Sequence, residues 1–370
     1  MERTVRALVV DDSAFMRCAI GKILGAMEGV EVVGYAGNGR EAVEKARQLK
    51  PGLVTLDIEM PEMDGLNALP RIRHACNATV LMVSSLTREG TSATLTALRF
   101  GAADFISKDR SQITSNLSAM ESELRAKVGA LFPAERSEPS AGSGAGAGTS
   151  APAGHGASAP AAEPPRTLEV GRVEAVVIGS STGGPPVLEE LIGGLSGGFG
   201  LPIVVAQHMP AMFTRTMAER LNEMASVRVL QVDQVLPMRP GHVYIAEGGR
   251  HVRLTRRRGT SLWVEPTDDP AGAVYRPSVD ELFRSAAGCC GSRCLALVLT
   301  GMGEDGRRGA EALRAAGAAV AAQDAGSCVV YGMPKAVVEA GLASATLTPE
   351  QMLRTLAKVG SRPAGATMSQ

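Results

Sequence analysis

Between Pro139 and Pro165 the chain reads PSAGSGAGAGTSAPAGHGASAPAAEPP. This stretch has almost no large apolar side chain, so it cannot bury enough surface to offset the entropy lost on ordering. It divides the 370-residue chain into two parts. A flexible Ala/Gly/Pro/Ser-rich tether is expected over 133–172, with proline adding some stiffness. If about 35 of its residues are mobile, random-coil scaling gives a mean span of roughly 30–35 Å. Two flanking domains could dock against each other or drift apart.

The first domain, 1–132, alternates short β-rich runs with helical stretches. The runs are 7–10, 30–34, 53–56, 79–83 and 103–106, with helices over 14–24 and 41–49. Ala42, Val43, Ala46 and Leu49 fall on one face at helical spacing. Five such runs imply a doubly wound parallel sheet, whose ligand chemistry sits at the carboxyl ends of the strands. The second domain, 173–358, alternates too. Its strand candidates are 175–178, 202–206, 227–232, 295–299 and the alanine-rich 318–321, and its helical candidates are 186–195, 213–224, 279–287 and 305–316. Residues 242–264 look like antiparallel hairpins. The expected fold class is α/β: a (βα)5 doubly wound domain, then a three-layer α/β domain with a mostly parallel sheet and a small antiparallel insert. Residues 359–370 are expected to form a flexible tail.

Composition narrows the function. Lys+Arg and Asp+Glu both number 38, for a net charge of +0. That balance argues against a surface that binds polyanions all over. Aromatics are only 3%, which disfavours stacking on single-stranded nucleic acid. There is no helix-turn-helix signature, and Arg256-Arg257-Arg258 is a lone run, better read as a solvated hairpin tip. No apolar run approaches the roughly 18 residues of a membrane span. The first residues run straight into a strand-like Val5–Val10, which leaves no room for a signal peptide, so a cytoplasmic location is expected. Six cysteines in this length are no disulfide framework. Cys289, Cys290 and Cys294 cluster, but adjacent cysteines plus one more lack a zinc spacing.

Two groups of residues carry chemistry. Asp11 and Asp12 follow the first strand and Asp57 the third, so a parallel sheet gathers all three at one edge. Clustered carboxylates repel unless a cation sits between them, and oxygen-only ligands suit Mg²⁺. Ser84 ends the fourth strand and Lys108 follows the fifth; a hydroxyl and an ammonium facing three carboxylates suit a phosphoryl group. The bland reading is that Asp11-Asp12-Ser13 caps the next helix.

The second group starts at Gly179-Ser180-Ser181-Thr182-Gly183-Gly184, between an apolar strand and a helix. No Lys occurs from Gly179 to Val187, so a Walker loop fails, as does Gly-x-Gly-x-x-Gly. A G-x-S-x-G elbow matches; a plain strand-to-helix turn is the alternative. A nucleophilic serine needs a base and an orienting acid. His74 lies in the first domain and His155 in the tether. His208, in Gln207-His208-Met209-Pro210, ends the next strand at the same sheet edge. Asp305, in Leu299-Thr300-Gly301-Met302-Gly303-Glu304-Asp305-Gly306, follows another buried strand. An α/β-hydrolase order would need something like Ser181, Asp233 and His251, in less convincing places.

Residues 1–130 resemble the response-regulator receiver domain, through Val9-Val10-Asp11-Asp12-Ser13, Leu56–Gly65, Met82-Val83-Ser84 and Asp104–Lys108. The resemblance implies that Asp57 is the phosphoacceptor. It implies that Asp12, Asp57 and the Glu59 carbonyl hold Mg²⁺, with Asp11 helping through water. Lys108 and Ser84 would contact the phosphoryl oxygens, and Phe105 would change its burial as Ser84 shifts. Asp109 stands where the family usually has Pro after the Lys. A cis peptide there would cost about 2.5–4 kcal/mol, so that turn is expected to be built differently.

Residues 173–358 resemble the catalytic domain of the CheB protein-glutamate methylesterases, through Gly179–Gly184, Gln207–Pro210, Thr300–Gly306 and Tyr331-Gly332-Met333-Pro334. The resemblance implies that Ser181 attacks a glutamate methyl ester, with His208 as base and Asp305 as its orienting acid. The Met302 N–H is then the oxyanion donor, with Thr182 as a helper, and no cofactor serves the esterase site. Deamidation of particular glutamines follows from shared tetrahedral chemistry. Glu304 stands where the family often has Asn, which is expected to add negative charge near His208. The implied partners are methyl-accepting chemoreceptors as substrate and a CheA-type histidine kinase as phosphodonor. No nucleic acid or membrane insertion is implied, and the protein is expected to be a monomer. Two other functions fit the residues: a non-enzymatic receptor-binding adaptor, and a general small-ester serine hydrolase.

Overall fold

The structure, a computed structural model, describes residues 4–85, 87–108, 113–133, 172–257 and 261–361. The tether from 134 to 171, Asp109, Arg258 and the tail from 362 onward lie outside the described residues.

In the first domain β1 (Val5–Val10), β2 (Val30–Ala36), β3 (Leu53–Asp57), β4 (Thr79–Ser85) and β5 (Asp104–Lys108) form a parallel sheet in the order β2-β1-β3-β4-β5. Helices α1 (Ala14–Gly25), α2 (Gly39–Leu49), α3 (Gly65–Ala75), α4 (Arg88–Arg99) and α5 (Ile113–Leu131) connect or follow them. Helices cover both faces, so β1 buries Leu8 and Val10 in one core and Ala7 and Val9 in the other. That double burial is why parallel strands read as unbroken apolar runs. The helix starts are locally encoded: Ser13, Asn38, Asp64 and Thr87 each accept a backbone N–H from the first turn. Of the predicted α2 face, Ala42, Val43 and Ala46 are buried and Leu49 packs against the same core.

The second domain holds a seven-stranded parallel sheet in the order β15-β14-β13-β6-β7-β10-β8. Its strands are β6 (Ala175–Ser180), β7 (Ile203–Gln207), β8 (Arg228–Val232), β10 (His242–Ala246), β13 (Cys294–Val298), β14 (Ala319–Gln323) and β15 (Ala345–Leu347). A separate three-stranded antiparallel sheet is made of β9 (Leu236–Pro237), β11 (His251–Arg257) and β12 (Ser261–Thr267). The helices are α6 (Gly184–Gly193), α7 (Ala211–Met224), α8 (Val279–Cys290), α9 (Arg307–Ala315), α10 (Met333–Glu339) and α11 (Pro349–Gly360). Alternate residues of β6 face two cores, Val176 and Ile178 one and Ala175 and Val177 the other, giving three layers.

Two expectations are corrected. Residues 242–246 are not a hairpin arm: β10 pairs in parallel with β7 and β8. Val243 through Ala246 are buried throughout, the mark of a strand covered on both faces, whereas 251–257 and 261–267 do pair antiparallel. The last helix runs to Gly360, two residues past the expected boundary, closed by a Thr348–Gln351 capping box at its start. Among the described residues no helix is long and apolar enough to cross a membrane.

The domains touch through α4, which packs on α6 and α7. The Phe105 ring stacks on Phe213 at 4.1 Å. Arg220 donates to Thr96 Oγ1 at 3.1 Å, while Glu189 holds its other edge at 2.9 Å.

Candidate functional site

In both sheets the candidate residues stand where the strand order reverses, the place at which open α/β sheets leave a crevice. In the first, Asp11 and Asp12 follow β1, and Asp57 ends the adjacent β3. Each of the three offers an oxygen within 4.8 Å of the others. Lys108 Nζ lies 2.6 Å from Asp11 Oδ2 and 2.7 Å from Asp57 Oδ2. Burial pushes the Asp57 carboxyl up to about 6; Lys108 pulls against that and Asp11 adds to it. Ser13 caps α1, and Asp11 accepts the Ser13 N–H at 2.9 Å. The side chain of Glu59 accepts from Ser85 Oγ at 2.9 Å. Three clustered carboxylates on a mostly buried floor are the donor set of a hard divalent ion, so Mg²⁺ fits these residues.

Ser84 is turned toward α4: its Oγ donates to Gly90 O at 3.1 Å and accepts from Thr94 Oγ1 at 2.6 Å. Phe105, 3% exposed, lies in the domain interface.

In the second sheet β13, β6 and β7 are neighbours, and their carboxyl ends carry Asp305, Ser181 and His208. Gly183, in the left-handed region at φ 77°, turns the chain from Ser181 into α6. Gly301 is bare by necessity: a Cβ there would stand 2.7 Å from the Ser181 Cβ. The loops are tied together by Ser181 N donating to Thr300 O at 3.1 Å and Thr300 Oγ1 donating to Thr182 O at 2.9 Å. The Tyr331–Pro334 stretch clasps them, with Gly332 N and Met333 N both donating to Gly301 O.

His208 Nε2 stands 2.8 Å from Asp305 Oδ2. Asp305 Oδ2 also accepts Val279 N at 2.7 Å, and its Oδ1 accepts Asp280 N at 2.9 Å and Ser278 Oγ at 3.1 Å. Burial works to raise the Asp305 carboxyl, but the hydrogen bonds from His208 and the two amides hold it below the ordinary range. An ionised carboxylate only accepts, so Nε2 donates to it, and the neutral tautomer that fits this contact carries its lone pair on Nδ1. That Nδ1 is buried without a hydrogen-bond partner. His208 N donates to Ser180 O at 3.0 Å, which fixes the histidine beside the serine loop. The Ser181 hydroxyl makes no hydrogen bond among the described residues, and neither does the Met302 N–H.

Several expectations need adjusting. The Thr182 hydroxyl is engaged by the first domain, donating to Asp104 Oδ2 at 2.6 Å, and Asp104 pairs with Lys127 at 3.3 Å. Glu304 is exposed and pairs with Arg307 at 3.2 Å, so its charge turns outward. Asp233 is exposed at the end of β8, and His251 is buried in the hairpin, where its Nδ1 accepts Ser278 N at 3.1 Å. The sequence reading missed the 275–280 segment. Its signal was present: Ser278, three residues before Glu281 and just ahead of an apolar helix, is a helix N-cap pattern, and the Ser278 side chain does cap α8.

The cysteine cluster forms no metal group among the described residues. Burial pushes the Cys290 thiol up to about 12, and Cys294 well above its usual range. Iodoacetamide at neutral pH should therefore modify exposed Cys18 and spare Cys290 and Cys294, as peptide mapping can check. Modification of Cys290 at the rate of Cys18 would contradict the packing.

Together these features define a doubly wound domain with an acidic cluster and a lysine at its strand ends, joined to an α/β domain with a Ser, His and Asp at adjoining strand ends. Residues 7–117 match the response regulator receiver domain and residues 176–356 match the CheB methylesterase family. The chain is 43% identical over 366 residues to protein-glutamate methylesterase/protein-glutamine glutaminase 1 of Oleidesulfovibrio alaskensis, covering 95% of this chain and 98% of that one. A protein-glutamate methylesterase/protein-glutamine glutaminase of Alkalilimnicola ehrlichii is 41% identical over 388 residues, covering 96% and 99%. Among solved structures, the Thermotoga maritima CheB methylesterase catalytic domain is similar at 38% identity and a TM-score of 0.49, covering 50% of this chain and 98% of that chain. The chain belongs to the CheB methylesterase family, and it is an enzyme of the methylesterase/glutaminase type with a receiver domain.

Proposed function

We propose that this protein demethylates glutamate methyl esters on chemoreceptors and deamidates selected receptor glutamines, under control of phosphorylation at Asp57. The observation that carries the reading is His208, bonded to Asp305 at 2.8 Å through Nε2 and left with a free, buried Nδ1 beside the serine loop. Ser181 Oγ attacks the ester carbonyl as His208 Nδ1 takes its proton. The carbonyl oxygen, now negative, is received by the Met302 N–H; one such donor typically contributes about 3–4 kcal/mol. The tetrahedral intermediate collapses, His208 returns the proton to the departing methanol, and water repeats the sequence to release the glutamate. An amide runs through the same steps with ammonia leaving. The Ser181–His208 hydrogen bond forms when substrate settles, as contacts of this kind commonly tighten only in the complex.

In the receiver, Asp57 is the phosphoacceptor. Asp12, Asp57 and the Glu59 carbonyl would hold Mg²⁺, with Asp11 behind them, and the bound ion would supply charge neutralisation for the phosphoryl group. Lys108 and Ser84 then bind the phosphoryl oxygens, and a histidine kinase is the donor. The receiver restrains the esterase: Asp104 on Thr182 joins it to the residue after Ser181, and Phe105 on Phe213 joins it to α7, the helix that follows His208. To reach a phosphoryl group Ser84 must leave Gly90 and Thr94, which frees space for Phe105 to withdraw from Phe213. A tenfold gain in open molecules needs only about 1.4 kcal/mol of differential stabilisation. Esterase turnover of the intact protein should rise about tenfold or more with a small phosphodonor, toward the rate of residues 172–361 alone. Three equal rates would end the idea of a restraining receiver.

A further inference from the structure

Tyr275 lies in the stretch leading to α8, beside Val274, which is 88% exposed. Its ring lies flat on the His208 imidazole, with centroids 4.3 Å apart and planes 7° from parallel. The Tyr275 hydroxyl reaches the loop that carries Met302: a Cβ on Gly303 would stand 3.3 Å from it. Three residues further along, Ser278 Oγ and the amides of Val279 and Asp280 hold Asp305. One short segment therefore grips both the base and its acid.

The geometry points to Tyr275 as a positioning residue for His208, one that locks the plane of the imidazole so that Nδ1 stays aimed at Ser181. The inference rests on the proposed roles of Ser181 and His208. The bond from Nε2 to Asp305 restrains one ring atom. A ring fixed at Cγ and at Nε2 can still pivot about the line between them, and that pivot carries Nδ1 through an arc. A flat aromatic face in van der Waals contact blocks the pivot on one side, and small misplacements of a reacting group are costly to rate. The same face lies over the imidazolium formed when the serine proton is taken, a favourable arrangement for a cation above a ring. Both effects belong to the ring and neither to the hydroxyl.

The experiment uses the full chain with a saturating small phosphodonor, so that the receiver's state is common to all variants. Tyr275→Leu should lower kcat on methylated receptors about 10- to 100-fold and leave KM within about twofold. Tyr275→Phe, which keeps the ring, should restore most of that loss. Labelling of Ser181 by a small fluorophosphonate, which needs the base but no receptor, should slow in parallel with kcat. Tyr275→Met fills a similar volume without a plane and should behave like Leu, which keeps the test open should the Leu protein fail to fold. On a His208→Gln background, Tyr275→Leu should have no further effect. A Leu or Met protein with wild-type turnover overturns the proposal. So does a Phe protein as impaired as Leu, or a full additional loss on the His208→Gln background. His208→Gln with unaltered turnover would instead overturn the catalytic reading on which the proposal stands.

Discussion

Asp305→Asn should lower turnover by about four orders of magnitude, the scale seen when the acid behind a catalytic histidine becomes an amide. Four donors converge on this carboxylate: His208 Nε2, Val279 N, Asp280 N and Ser278 Oγ. An amide offers one oxygen and one NH2 group, so one pair of donors must meet another donor. If the NH2 faces His208, Nε2 has to accept. The ring hydrogen then moves to Nδ1, and the lone pair that should take the serine proton is gone. If the NH2 faces Asp280 N and Ser278, the end of α8 loses an acceptor, at a cost of about 1–3 kcal/mol for each buried group left unpaired. Steady-state kinetics and thermal unfolding of the one variant separate the two outcomes. A loss of less than tenfold with unchanged stability would mean that Asp305 only packs.

Asp57→Asn should abolish phosphoryl incorporation from small donors and, with it, the whole donor-dependent rise in esterase rate. The change removes the carboxylate that ends β3, and its acidic neighbours are otherwise placed: Glu59 accepts from Ser85 Oγ at 2.9 Å. Asp11 is tied to Lys108 at 2.6 Å and to Ser13 N at 2.9 Å, and Asp12 follows a different strand. Lys108 keeps Asp11 as a partner, so the receiver should remain folded and the unstimulated rate should stay near that of the parent. Radiolabel transfer and turnover with and without donor give both readings. Residual labelling at the parent level would place the acceptor elsewhere.

The residues proposed to carry chemistry were legible because parallel sheets put them at one kind of place. Asp57, Ser181 and His208 each end or follow an apolar run, and an apolar run of that length in an alternating pattern is a strand buried on both faces. The order of the strands was not legible from those runs, and it is the order, β13-β6-β7, that brings Asp305 to His208. Residues 242–246 were misread because a strand inserted between β7 and β8 late in the chain sits next to a true hairpin in sequence. Tyr275 was invisible for another reason. It lies in a stretch without periodicity, and its partner His208 is far away along the chain. The Asp104–Thr182 hydrogen bond crosses between domains, and nothing in either domain's own pattern encodes such a contact.

Methanol release from membranes bearing methylated chemoreceptors, compared between the parent protein and Ser181→Ala, puts the whole account to the test in one assay. The account predicts steady release by the parent that a phosphodonor accelerates, and release at the no-enzyme background for the alanine protein under either condition. Undiminished methanol from the alanine protein would contradict it, because the ester would then be cleaved without the hydroxyl that His208 and Asp305 are placed to serve.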